Sequence, residues 1–246
     1  MILKRLRNKI TKYNLAIGSS VSSHELSRHM NADILAYAQL SKLLGDKYIP
    51  ITEYSLRPYT IAHILNDILI NKRKIIVEFG SGISTIFIHY LNKKYNLGIR
   101  LLSFDHDQSW QKTLHGLYLN KNDDSVELIH APLGKTKNGV KNEQLWYEEQ
   151  IVNQKLANII ADLIIIDGPP GGEQNEYARY PAIEIVKRYL NIDGMVVVDD
   201  ISRVHEKKIV TDLESLDFKA NWSLRHCMLS KNTGFNTNPF GKALYK

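Results

Sequence analysis

The chain is short of cysteine and of long apolar runs, and both shortages exclude something. One cysteine in 246 residues, Cys227, excludes an internal disulfide framework and fits a reducing compartment. No apolar run approaches the roughly 20 residues that cross a bilayer. The first residues, MILKRLRNKITKYNLAI, interrupt their apolar positions with basic ones, so the continuous apolar core of a secretion signal is missing. A cytoplasmic location is therefore expected. Repeats, low-complexity linkers and clear domain breaks are also missing.

What is present is an ordinary globular composition, 43% apolar and 24% charged, long enough for one large α/β domain. The net charge of +6 is uneven. Lys4, Arg5, Arg7, Lys9 and Lys12 supply most of it, and the remainder is close to neutral. Leu3, Leu6, Ile10 and Tyr13 recur at helical spacing, so an amphipathic helix with a basic face is expected there. Such a helix docks on its own domain or a twin subunit, or else lies on a membrane surface. Residues 1–55 read as a helical N-terminal extension and 56–246 as the main domain.

From Lys74 onward the pattern changes. "KIIVEF", "IRLLSF", "SVELIH", "ADLIIID" and "GMVVVDD" are short apolar runs without alternation, as strands buried on both faces require. Helical stretches separate them, including a long one over "NEQLWYEEQIVNQKLANII". Five alternations predict a doubly wound α/β fold. "FKANWSLRHCMLSK" reads as a hairpin closing the sheet.

The first strand runs into the turn "EFGSGIST". Gly80 and Gly82 allow a tight turn and expose backbone N–H groups to a ligand. A lone G-x-G is common in packing turns, so the neighbouring residues must decide. Thr85 stands where a dinucleotide fingerprint needs its third glycine, and Glu78 would repel a pyrophosphate. A carboxylate beside the turn suits a cationic ligand instead.

At this point the chain resembles the class I S-adenosylmethionine-dependent methyltransferases, and within them a bacterial small-molecule and glycan O-methyltransferase-like subgroup. "VEFGSGIST" matches their first motif, "SFDHD" the second-strand motif, "LIHAPL" the third strand end and "ADLIIIDGPPGG" the fourth. "RYPAI" matches the helix that follows, "VVVDDISRVHE" the fifth strand, and "SLRP" a segment ahead of the glycine motif. The resemblance implies a Rossmann-like, mostly parallel seven-stranded sheet. It implies that S-adenosylmethionine is held by Glu78, Gly80, Ser81, Gly82, Ser84 and Thr85. Asp105 would bind both ribose hydroxyls, with His106 and Ala131 beside the adenine and Asp167 at the methyl end.

For the acceptor, "DGPPGG" departs from the pattern of nucleic-acid amino-methyltransferases. Gly168 separates Asp167 from the prolines, and Gly171 replaces the aromatic that would stack a flipped base. The expected partner is thus a small-molecule or glycan hydroxyl. A nucleic-acid methyltransferase and a non-catalytic methyltransferase-like binding domain are the alternatives. Nothing in the sequence assigns an oligomeric state. Asp167, Asp199 and Asp200 match the positions at which metal-using O-methyltransferases hold a divalent cation, so Mg²⁺ or a similar ion is expected there. Otherwise one acid caps the following helix and the others meet Arg179 or Arg203. Without a metal, Asp167 or His205 is the expected general base. Trp146 and Tyr147 are candidates for the acceptor wall.

Overall fold

The computed structural model describes residues 27 and 30–240, apart from 120–122, 142–143, 173–174, 224 and 233. The expected basic helix of residues 3–13 lies outside the described residues. Helix α1 is described over residues 30–44.

The apolar runs become the strands β1 (Ile75–Phe79), β2 (Arg100–Asp105), β3 (Val126–His130), β6 (Ala161–Ile166) and β7 (Leu190–Asp199). Their central residues are mostly apolar because helices cover both faces of the sheet they form. Together with β8 (Lys219–Trp222) and β9 (His226–Ser230) they make seven strands in the order β3-β2-β1-β6-β7-β9-β8. All neighbouring pairs are parallel except those that β9 makes with β7 and β8. The expected hairpin thus closes the edge of a doubly wound sheet.

Successive side chains of a strand face opposite sides, and two cores result. Val77, Phe79, Leu102 and Phe104 face one. Ile76, Leu101, Leu163 and Ile165 face the other. The second core also holds helix α2 (Pro58–Ile70) through Ile61, Ile64 and Ile68, and helix α3 (Ile83–Tyr95) through Ile86 and Phe87. Ala36, Leu40 and Leu44 of α1 are buried in the same cluster. This part of the expected extension therefore packs into the core of the main domain.

One expected helix is corrected. Leu145–Tyr147 is strand β5, paired with β4 (Leu133–Lys135), and only Glu149–Leu156 forms helix α5. Burial overrode the helical periodicity here. As a strand, the segment sets Trp146 and Tyr147 against Phe79, with ring centroids 5.1 and 5.7 Å away.

The remaining helices are α4 (Gln108–Tyr118), α6 (Ala182–Tyr189) and α7 (Val204–Glu214). After β1 the chain winds outward to β3, then returns to lay β6 on the other side of β1. Strand order reverses between β1 and β6. Ligands of open α/β sheets bind at such a reversal, beyond the carboxyl ends of the strands.

Candidate active site at the strand reversal

The carboxyl ends of β1, β2, β6 and β7 border a cleft of about 480 Å³, within the range of small-ligand sites. Gly80 takes φ +101°, a conformation that favours glycine. Its N–H bonds to the Phe104 carbonyl at 2.8 Å, and a Cβ on it would lie 3.0 Å from the Gly168 nitrogen. The turns after β1 and β6 therefore touch backbone to backbone. Gly82 differs: a Cβ there would meet nothing within 4 Å, although the residue lines the cleft. Its bareness leaves room for a ligand.

Glu78 departs from the expected contact with a bound cation. It is fully buried and does not line the cleft. Ser84 Oγ donates to its Oε1 at 2.5 Å, while Thr85 and Ser103 hydroxyls donate to its Oε2 at 2.5 and 2.6 Å. Burial raises its pKa against those three bonds. Thr85 also accepts the Gly82 N–H at 2.9 Å. Glu78 and Thr85 thus brace the turn from beneath, because strand alternation points residue 78 at the α3 side of the sheet. Ser84 bonds to Glu78 and also lines the cleft.

Asp105 and Asp107 divide their labour. Asp107 caps α4, accepting the N–H groups of Ser109 and Trp110 at 2.8 and 3.0 Å. Asp105 accepts the N–H groups of Ser81 and Asp107 at 2.9 and 2.8 Å, which ties the glycine turn to the end of β2. It lines the cleft and keeps lone pairs for a ligand. His106, half-buried beside it, has its pKa raised chiefly by the Asp105 carboxylate, 3.3 Å from its Nδ1. Ala131, the other residue expected beside the adenine, is fully buried in the core and is not among the residues that line the cleft. Trp110, which no sequence motif marked, lines the cleft instead and donates from Nε1 to the Ser81 carbonyl at 2.7 Å.

On the other side of the Gly80–Gly168 contact, Asp167, Asp199 and Asp200 converge. Their nearest ligand atoms all lie within 4.8 Å of one another. A cation stands among them, and it belongs to the chain. Arg179 Nη2 lies 3.4 Å from both Asp167 Oδ1 and Asp200 Oδ2. Arg203 Nη2 reaches Asp200 at 3.0 Å, and Arg225 pairs with its other oxygen. The expected set of metal ligands is therefore also the acid set of an arginine cluster. Burial raises the Asp167 pKa well above the carboxylate range, with Arg179 opposing, and lifts Asp199 to about 7.

His205 is not brought to the cleft. It sits on α7 with its ring against Tyr177, centroids 4.3 Å apart. The aromatic pair divides as well. Tyr147 lines the cleft while Trp146 is core. The Tyr147 hydroxyl is buried without a hydrogen-bond partner among the described residues, and burial raises its pKa well above 10.

A family model described as a methyltransferase domain matches residues 77–201, just over half the chain. The chain belongs to the methyltransferase-domain family. It is a class I S-adenosylmethionine-dependent methyltransferase, with the glycine turn, the β2 acid and the β6 acid at one sheet edge.

Solved structures share the fold of this methyltransferase at low identity. The Podospora anserina methyltransferase PaMTH1, solved with S-adenosylhomocysteine, is 12% identical with a TM-score of 0.53, over 82% of this chain and 88% of that one. An O-methyltransferase from Bacillus cereus, in complex with the same product, is 14% identical with a TM-score of 0.47, over 83% and 91%. Human methyltransferase-like protein 13, also with that product, is 11% identical with a TM-score of 0.48, over 76% and 90%. No curated protein matches the methyltransferase significantly.

Proposed function

We propose that this methyltransferase moves the methyl group of S-adenosylmethionine to a hydroxyl oxygen of a small-molecule or sugar acceptor. One observation carries the reading. Asp167 borders the cleft directly after β6, and its backbone touches the Gly80 turn on which the cofactor would rest. Burial raises the pKa of this carboxylate, which makes it a stronger proton acceptor than an ordinary aspartate.

The empty space over Gly82 and the spare lone pairs of Asp105 fit the amino-acid and ribose portions of the cofactor. When bound, S-adenosylmethionine supplies a methyl carbon made electrophilic by its sulfonium, and the sulfur keeps the bonding pair. Asp167 orients the acceptor hydroxyl in line with that bond and takes its proton as the oxygen–carbon bond forms. Proximity and orientation supply most of the rate enhancement. His205, packed on Tyr177, takes no part.

Gly168 and Gly171 at the acceptor side provide no aromatic surface for a flipped base, which supports a small acceptor over nucleic acid. Among the described residues no helix is long and apolar enough to cross a membrane. The free, buried Cys227 fits a reducing compartment such as the cytoplasm.

The test is methyl transfer from labelled S-adenosylmethionine to a panel of sugars, phenols and oligonucleotides, with Asp167→Asn as control. Transfer to a sugar or phenol that Asp167→Asn abolishes is expected. Label carried to oligonucleotides alone would overturn the acceptor class.

A further inference from the structure

Resemblance gives the acid trio at the ends of β6 and β7 to a divalent cation, and the geometry fills it differently. We propose that the Arg179 guanidinium takes the place of that ion, so that this site works without a divalent metal.

Three observations carry the inference. The first is position. Nη2 of Arg179 stands 3.4 Å from an oxygen of Asp167 and 3.4 Å from one of Asp200, while Nη1 donates to the Asp199 backbone carbonyl at 3.4 Å. A single group on the turn before α6 thus reaches the carboxylates of Asp167 and Asp200 and the backbone of Asp199, at the ends of two different strands. A divalent ion bonded to the same carboxylates at roughly 2.0–2.6 Å would be placed against a fixed positive charge.

The second is charge. Asp167, Asp199 and Asp200 face Arg179, Arg203 and Arg225, and Glu206 Oε1 lies 4.0 Å from Arg179 Nε. An ion normally relieves repulsion among crowded carboxylates, and here the guanidiniums supply part of that relief, most directly to Asp200. With four acids against three arginines the cluster carries a formal charge of −1, and a divalent ion would turn it to +1.

The third is anchorage. Arg179 is 5% exposed, so its place is fixed by packing. Burial opposes its charge, yet the surrounding acids, Asp167 foremost, hold it more firmly protonated than an ordinary arginine. A guanidinium also presents a planar fork of donors that suits several carboxylates at once. Arg179 then acts as a positioning residue: it holds Asp167 at the cleft and favours its anionic form.

The proposal concerns the site of the methyl-transfer reading, but its test does not depend on any acceptor. The full chain is titrated with Mn²⁺ and the free-ion signal is followed by electron paramagnetic resonance, beside calorimetric binding of S-adenosylhomocysteine. The wild-type protein is expected to bind S-adenosylhomocysteine and to show no stoichiometric Mn²⁺ site below about 1 mM. Arg179→Met, which keeps bulk and removes charge, should gain a Mn²⁺ site at least tenfold tighter, and Arg179→Met/Asp199→Asn should lose it again. Arg179→Gln is the second variant should the first fail to fold. Stoichiometric micromolar Mn²⁺ binding by the wild type, lost in Asp199→Asn, would overturn the proposal. So would a folded Arg179 variant that binds no more Mn²⁺ than the wild type. Failure to bind S-adenosylhomocysteine would count against the cofactor reading and leave the metal result standing.

Discussion

The Tyr147 hydroxyl lies over Gly168 so closely that a Cβ on residue 168 would collide with it. The same Cβ would stand 2.9 Å from the Gly80 Cα. Gly168→Ala must therefore push apart the turns after β1 and β6, and overpacking of this kind costs about 1–3 kcal/mol. Denaturant melts should show that loss. Tyr147→Phe removes the colliding oxygen, so the double variant should recover part of it. Equal losses with and without the hydroxyl would mean that the turns themselves do not yield.

At position 82 the opposite outcome is expected. Nothing lies within 4 Å of a Cβ there, and φ is −162°, which any residue adopts. Gly82→Val should melt like the wild type yet lose S-adenosylhomocysteine binding in calorimetry, because the side chain fills ligand space. Retained binding would move the cofactor elsewhere in the cleft.

Asp105→Ala removes charge-assisted hydrogen bonds worth on the order of 1.5–3 kcal/mol to a bound ribose, a roughly ten- to hundredfold rise in Kd. It also releases the Ser81 and Asp107 N–H groups, so a modest fall in stability should accompany it. An unchanged Kd would assign the ribose to another group.

Glu78 is expected to behave as a brace. Glu78→Ala leaves three buried hydroxyls without their acceptor, each costing about 1–3 kcal/mol, so the protein should melt early or express poorly. Glu78→Gln keeps an acceptor oxygen and should retain most of the cofactor affinity. A Glu78→Gln protein of normal stability that no longer binds cofactor would show direct contact after all.

Acid should loosen the fold beneath β9. Thr60 Oγ1, His226 and His63 form a buried chain, with contacts of 3.0 and 2.8 Å. Desolvation lowers the His63 pKa to about 4 and that of His226 well below its usual value. Unfolded histidine takes its proton near pH 6.5, so the stability from keeping His63 neutral is present above that pH and is lost as pH falls toward 4. The shift corresponds to roughly 3 kcal/mol. Thermal melts from pH 7.5 to 4.5 should track this decline, and His226→Gln should flatten it. A level profile would sink the assignment.

The strands were legible because burial on both faces leaves an unbroken apolar signature, as in "ADLIIID". The glycine turn and the acids at the strand ends were legible because spacing along a strand fixes which residue reaches its carboxyl end. Direction was not. Glu78 and Ala131 sit in the right motifs, but one faces the α3 side of the sheet and the other is core, and alternation is easily miscounted at a strand terminus. The β4–β5 hairpin was hidden because its three-residue strands fall below any periodic signal, and Trp146 and Tyr147 fit a helical stripe equally well. Arg225 and Trp110 come to the cleft through the fold alone. No local pattern marks a residue that meets its partners across the sheet, as Arg225 meets Asp200.

The bare backbone contact between Gly80 and Gly168 has a consequence for how such a protein can change. On the methyl-transfer reading, it ties the turn on which the cofactor would rest to the β6 acid without any side chain that substitution could vary. Residues 52–55, which line the cleft from outside the sheet, lie outside both cores, and Tyr54 is 80% exposed. On that same reading, substitutions along this outer wall would change which acceptors fit while leaving the point of methyl delivery where it is.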